Sequence, residues 1–214
     1  MTYASDTAIA NSALVIIGED RITSLSSDTS RRAVYANQQY PIKRDELLCK
    51  YRWGFATKRV ALAQLADTPT FGFAYAYALP SDFLKFIGVY DAQQSKANYT
   101  ATEIIHKIES VDDQRVLVTD ETEVNAVYTY RVTNTLNYDP HFGEALACLL
   151  AKNLAGLLTS GPEAYNKAAK LYKDAIREAK EHHAFESTPE VIESSAWVDS
   201  RFGGDLRNMG WARG

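Results

Sequence analysis

Residues 53–90, WGFATKRVALAQLADTPTFGFAYAYALPSDFLKFIGVY, mark the place where the chain changes character. Phe71, Phe73, Tyr75, Tyr77 and Leu79 fall on alternate positions with Gly72, Ala74, Ala76 and Ala78 between them. That is the period of a strand with one bulky aromatic face. Pro80 removes a backbone donor and disfavours helix at Leu79, and Ser81 or Asp82 can turn back onto the following amides, so LPSD reads as strand end and turn. A second short strand over 86–90 follows, and the two together predict a β-hairpin-like core.

Upstream the pattern is helical. A first helix over 6–17 has Asp6 or Thr7 as its N-cap, Ile9, Ala13, Ile16 and Ile17 at helical spacing, and Gly18 as its stop. Residues 19–28 form a polar turn holding Ile22 and Leu25. Asp28 or Ser27 caps a second helix from about Thr29 to Lys50, with Ala33, Ala36, Tyr40, Leu47 and Leu48 near one stripe. Pro41 lies inside it and predicts a kink or a break.

Downstream, from Tyr99 to about Asn137, TATEII, RVLVTD and AVYTYRVTN are rich in threonine, valine and tyrosine, with the polar turns ESVDDQ and DETEVN between them. They predict a meander of three or more strands packed with the earlier pair. Asp139-Pro140 gives a cap followed by proline at the first helical position. The helix it starts carries Phe142, Leu146, Leu149, Leu150, Asn153, Leu154 and Leu157 as a broad apolar stripe as far as Ser160-Gly161. Ser160 to Glu163 fits a capping box for a last helix to about Ala184, with Tyr165, Ala168, Ala169, Tyr172, Ile176 and Ala179 inward. These two helices are expected to form an antiparallel pair that the opening helices complete as a small bundle.

After Glu186 the periodicity stops. Residues 187–214 contain Pro189 and four glycines, yet keep Val191, Ile192, Trp197, Phe202, Met209 and Trp211. Disordered tails normally lack large apolar side chains. The segment either wraps back over its own helices or docks on a neighbouring subunit or another protein, with Trp197, Phe202 and Trp211 as anchors and Arg201 and Arg207 as polar partners.

A formal net charge of −4 and a pI near 5.6 disfavour a protein that grips nucleic acid by neutralising phosphates, without excluding one past which DNA slides. The densest basic stretch, Lys43, Arg44, Lys50, Arg52, Lys58 and Arg59, is interleaved with Tyr51, Trp53 and Phe55. It reads either as a nucleic-acid platform or as a solvated or inter-subunit face, and Asp45 and Glu46 interrupt it. Two cysteines, Cys49 and Cys148, make no disulfide framework and are expected as buried thiols in a protein made in the cytoplasm. No apolar run approaches the roughly twenty residues of a membrane helix.

Signals for chemistry are weak. Neither G-x-G-x-x-G nor G-x-x-x-x-G-K-[ST] occurs. His106, His141, His182 and His183 are the candidates for a metal. The adjacent pair His182 and His183 points in different directions on a helix and suits the negative end of its dipole instead. Acids are numerous between Glu103 and Glu123, but most sit in predicted turns. Ser81 beside Asp82 has no histidine at a suggestive position. Catalytic, cofactor and metal sites are therefore expected to be absent.

Taken together, W-x-F-A-x-x-R at Trp53, Phe55, Ala56 and Arg59, Y-x-L-P-x-D at Tyr77, Leu79, Pro80 and Asp82, and the opening pattern Asn11-Ser12-Ala13-Leu14, Ile17-Gly18, Ile22 and Leu25 resemble one family. It is the head-to-tail adaptors of short-tailed double-stranded DNA phages, the tail tubular protein A family. The resemblance is clearest at the start of the chain and around 53–82. It implies a structural virion protein of the tail neck, a dodecameric ring that joins the portal protein to the tail nozzle and leaves an axial channel for genomic DNA. In that family the helical part and the arm face the portal and the β-part faces the nozzle. The expected architecture is α+β: a helical bundle from both chain ends (1–53 and 138–186), an inserted antiparallel β-domain (54–137) and an extended C-terminal arm (187–214). The rival reading is a tail-associated peptidoglycan or capsule glycan hydrolase.

Overall fold

A computed structural model describes residues 3–91, 104–111, 114–159 and 161–186, and every structural statement below concerns those residues. The fold is α+β, with four helices and two three-stranded antiparallel sheets.

Helix α1 (Asp6–Ile16) is capped by Ser5, one residue before the expected caps, whose Oγ accepts the Ala8 amide at 3.2 Å. Asp6 instead lies in the first turn, where its charge complements the positive helix end. Thr7 looks outward from the helix to the following loop, its Oγ1 accepting the Leu25 amide at 3.1 Å. Gly18 stops the helix in the left-handed region, at φ +83°. Asn11 then pins the loop from both sides, accepting the Ile22 amide at 2.8 Å and donating to its carbonyl at 3.0 Å. These bonds hold Ile22 and Leu25 inside, both about as buried as the helix core. They give the Asn11, Ile22 and Leu25 pattern a physical basis.

Helix α2 (Arg31–Lys50) begins later than Thr29, with Ser30 at its N-cap position. Asp28 serves the loop instead, accepting the amides of Ser30 at 2.9 Å and Thr23 at 3.1 Å. The Ser30 bonds chiefly, and then those of Thr23, hold its carboxyl down to about 2. Of the kink or break expected at Pro41, the break does not occur: α2 is continuous across it. Pro41 and Asn37 both lie on the exposed face, so solvent can satisfy the Asn37 carbonyl that proline leaves without a donor. Replacing Pro41 with alanine restores that bond and is expected to stabilise the protein by about 1–2 kcal/mol, less than the full ~3 kcal/mol proline penalty because the unfolded chain gains freedom. A thermal melt that shows no rise would mean that α2 is distorted at Pro41.

A 3₁₀ turn at Gly54–Ala56 leads into β1 (Thr57–Ala61). The strands β2 (Tyr75–Ala78), β3 (Phe83–Asp91), β4 (His106–Val111), β5 (Gln114–Thr119) and β6 (Val124–Tyr130) follow. They form two sheets, ordered β1-β6-β3 and β2-β5-β4. The expected hairpin is therefore not formed: β2 and β3, on either side of Pro80, belong to different sheets. The turn, closed by the Phe83 amide on the Pro80 carbonyl at 3.0 Å, carries the chain from one sheet to the other. Nor is there a three-stranded meander, because β4 and β5 pair with each other while β6 leaves for the first sheet.

Both seams between the sheets are hydrogen-bonded. Residues 57–65 run first along β6, ending with Leu62 N–H to Val124 O at 2.8 Å. They then run along β2, through Ala78 N–H to Ala63 O and Leu65 N–H to Ala76 O. At the other seam the Ile104 amide donates to the Val89 carbonyl at 3.1 Å. Between the sheets lie Leu62, Tyr77, Val89, Leu117, Val124 and Ala126, while Ala76, Val116 and Val118 form a separate cluster. The register explains the division, since Tyr77 pairs with Leu117 and its neighbours Ala76 and Ala78 pair with Val118 and Val116.

The aromatic alternation of 71–79 is only partly used. Gly72 at φ +94° interrupts the extended run, so Phe71 is left 88% exposed and Phe73 leans on the Ala76 cluster. In the middle region, β4 takes in Glu109, Ser110 and Val111, which the sequence assigns to a turn. Pairing with β5 (Glu109 opposite Val116, Ser110 opposite Arg115) overrides local preference. Ile104 and Ile105, expected in a strand, precede it, and residues 99–103 lie outside the described residues.

Helix α3 (Pro140–Leu158) starts where Asp139-Pro140 predicts, with the Asp139 Oδ1 accepting the amides of His141 and Phe142 at 2.8 and 3.2 Å. Its apolar residues run almost all the way round, which places it centrally against α1, α2 and the last helix, α4 (Pro162–Glu186). Gly143 permits the close approach of the Tyr3 ring, because a Cβ there would sit 2.5 Å from it. On α4, Ala168, Tyr172 and Ala179 face the core as expected, but Tyr165 is exposed. Its supposed cap, Ser160, lies outside the described residues. No helix among those residues is long and apolar enough to cross a membrane.

Candidate functional site

The helical and strand parts meet at Trp53, which follows the extended C-cap of α2 by two residues and precedes the 3₁₀ turn. Its indole is 1% exposed, and Nε1 donates to the Leu47 carbonyl at 2.9 Å. That carbonyl belongs to the last turn of α2, so the indole braces the C-terminal end of the helix. Phe142, on the first turn of α3, meets Trp53 edge-on at 5.0 Å and also receives Phe55 at 5.0 Å and Tyr138 at 4.9 Å. From α4, His183 stands edge-on to Tyr51 at 5.8 Å and lies over Gly54, where a Cβ would come within 3.1 Å of the ring.

These groups surround a cleft of about 230 Å³ lined by Trp53, Phe55, Asn137, Tyr138, Asp139 and His183. Beside it the His141 and His182 rings lie 4.5 Å apart, and His182 Nδ1 is 4.0 Å from Asp139 Oδ2. Asn137 and Tyr138 were not marked by the sequence, because they sit in a short irregular link (a 3₁₀ turn at Thr135–Asn137) with no period to read.

The basic stretch is engaged within the chain where its partners are described. Lys43 pairs with Glu46 at 2.8 Å, Arg44 and Arg131 share Asp45 at 2.8 Å each, and Lys50 reaches the Tyr172 hydroxyl at 3.1 Å. Lys58 lies over the Tyr130 ring and pairs with Asp82 at 2.6 Å. Asp82 also accepts the Tyr128 hydroxyl at 2.9 Å, so one carboxylate ties the turn after Pro80 to β1 and β6. Its partial burial works to raise its pKa, but the bonds from Lys58 and Tyr128 outweigh that and hold the carboxyl below its ordinary range.

A depressed folded-state pKa contributes stability above the unfolded value, near 4, that is lost as pH falls through the lower folded value. The wild-type protein is therefore expected to lose stability on acidification below about pH 4, with a shallower loss for Asp82→Asn. Parallel slopes in chemical denaturation across pH 2–5 would remove Asp82 from this role.

Of the residues weighed for chemistry, His141 and His182 lie together beside the cleft that His183 lines, and the others lie elsewhere. His106 lies on β4, its Nδ1 2.9 Å from the Ile104 carbonyl, away from the other histidines. Among the described residues no group of three or more His, Cys, Asp or Glu side chains is arranged to hold a metal ion. Burial pushes up both thiols, that of Cys148 to about 12 with Glu144 adding to the effect, so both are protonated at neutral pH. Asp120 serves the fold, accepting the Ala74 amide, and the Glu121 carbonyl accepts the Tyr77 hydroxyl at 2.7 Å. Asp82, beside Ser81, is occupied by Lys58 and Tyr128.

The anchors read from the sequence, Trp197, Arg201, Phe202, Arg207 and Trp211, lie outside the described residues. The described part ends at Glu186, one helical turn beyond the cleft-lining His183. No protein-family model matches this chain, and no curated protein matches it either.

Proposed function

We propose that this chain is a head-to-tail adaptor of a short-tailed double-stranded DNA phage. Its copies form a dodecameric ring between the portal protein and the tail nozzle, with an axial channel through which genomic DNA passes without specific binding. The reading rests on the resemblance of the motif residues, and one observation supports it most: those residues are structural joints. Trp53, Phe55 and Ala56 sit where α2 gives way to β1, Tyr77 lies between the sheets, and Asp82 ties the turn after Pro80 to β1 and β6.

In this reading α1 and α2 from one end of the chain and α3 and α4 from the other complete a four-helix-like bundle. Their shared apolar cluster supports that arrangement. Residues 54–137 form the inserted β-domain and 187–214 the arm. A ring of this kind needs large side-to-side contacts repeated by symmetry, and an arm reaching another chain adds affinity through effective concentration. An acidic channel wall lets DNA slide, because fixed positive charge would release counterions and hold the duplex.

The test is to mix the purified protein with portal rings and view the sedimented complex by negative-stain microscopy. A second ring stacked on the portal is expected. Portal rings that remain bare at saturating protein would sink the reading, and clearing of purified peptidoglycan or capsule by the protein would favour the hydrolase.

A further inference from the structure

The cleft at the C-terminal end of α4 has room for one side chain. Trp53, Phe55 and Tyr138 line it together with the polar residues Asn137, Asp139 and His183. A cavity of about 150 Å³ takes a benzene ring, so about 230 Å³ suits a two-ring group. Asp139 uses Oδ1 to cap α3, and its Oδ2 stands 4.0 Å from His182 Nδ1. An aromatic group carrying an N–H donor matches such a lining better than a plain hydrocarbon ring.

We propose that in the unassembled chain this cleft binds the indole of Trp197 from the same polypeptide, so that the arm is held against its own helices until a partner displaces it. The position of the cleft relative to the chain favours this occupant. His183, one of its walls, precedes Glu186 by one turn of α4, roughly 5 Å along the axis. Trp197 follows Glu186 by eleven residues, a length that reaches up to about 35–40 Å when extended and folds back onto a nearby point at little entropic cost. Trp211 would close a loop more than twice as long, and Phe202 has no donor for the polar lining. A tether this short also gives the chain's own indole a high effective concentration over that of any second copy. The inference goes beyond the adaptor reading, since it concerns the chain alone.

The experiment uses the full chain with the photo-cross-linker p-benzoyl-phenylalanine at position 197, or at 211 for comparison, irradiated at a concentration where the protein sediments as a monomer. Cross-links from 197 are expected on tryptic peptides 53–58 and 132–152, in a band of monomer mass and at several-fold higher yield than from 211. Cross-links to those peptides in dimer-mass bands would replace the own-chain occupant with a neighbour's arm and overturn the proposal. Cross-links elsewhere, or equal yields from 197 and 211, would overturn it too.

A second readout avoids the bulky probe. In protein labelled with 5-fluorotryptophan, the resonance that disappears in Trp197→Phe should show a solvent-isotope shift several-fold smaller than free fluorotryptophan, and a full shift would overturn the proposal. Portal binding is scored separately, so loss of the socket and loss of the adaptor reading are told apart.

Discussion

Trp53→Ala is expected to lower the stability of the protein by about 3–5 kcal/mol, the range seen when a fully buried large aromatic residue is truncated. The indole touches Tyr51, Phe55, Phe142 and His183, so its removal opens a void among rings drawn from α3, α4 and the link from α2 into β1. It also removes the indole's hydrogen bond to the Leu47 carbonyl at the end of α2. A typical domain has only about 5–15 kcal/mol in hand, so this variant is expected to be largely unfolded in moderate urea where the wild type is native. Trp53→Phe keeps much of the volume, loses the donor, and should cost about 1–3 kcal/mol. Urea unfolding followed by far-UV circular dichroism measures both without relying on the tryptophan. A loss below about 1 kcal/mol for Trp53→Ala would mean that the joint contributes little to the core.

Deleting residues 187–214 is expected to act in the opposite way, on binding and not on folding. The four helices share one apolar cluster made of residues before Glu186, so the shortened chain should remain folded, its melting temperature lowered only by what Trp197 contributes in the cleft. Portal binding, if the adaptor reading holds, should weaken by at least about 100-fold, since buried tryptophan anchors dominate such contacts and tethering multiplies their effect. Within the full-length chain, Trp197→Ala and Trp211→Ala should each remove part of that affinity, and Arg201→Ala and Arg207→Ala less. Portal binding at undiminished strength by the truncated chain, measured by co-sedimentation, would rule out the arm as the main anchor.

What could be read from the sequence was local. Asp139-Pro140 marks the start of α3 because cap and first turn are fixed by neighbouring residues, and Gly18 ends α1 for the same reason. The caps of α1 and α2 were misplaced by one to three residues because Ser, Asp and Thr compete for that role. Asp28 was claimed by the loop amides of Thr23 and Ser30.

The sheets were harder, since pairing depends on residues distant in sequence. Nothing near Pro80 shows that Tyr77 will face Leu117 while Val89 is paired with Ala126 in the other sheet. The polar residues of β4 hide a strand that exists because β5 lies beside it. The cleft was invisible for a related reason: Trp53, Tyr138 and His183 come together only when three separated segments close on α3.

The central position of α3 has a consequence for how the protein is born. α1 and α2 leave the ribosome first, yet the helix they pack against begins about 90 residues after α2 ends. At about 5–20 residues per second their apolar faces wait roughly 5–20 s for it, during which the intervening strands emerge. The opening helices are thus a natural client for a holding chaperone, and release should coincide with translation of the segment that starts at Pro140.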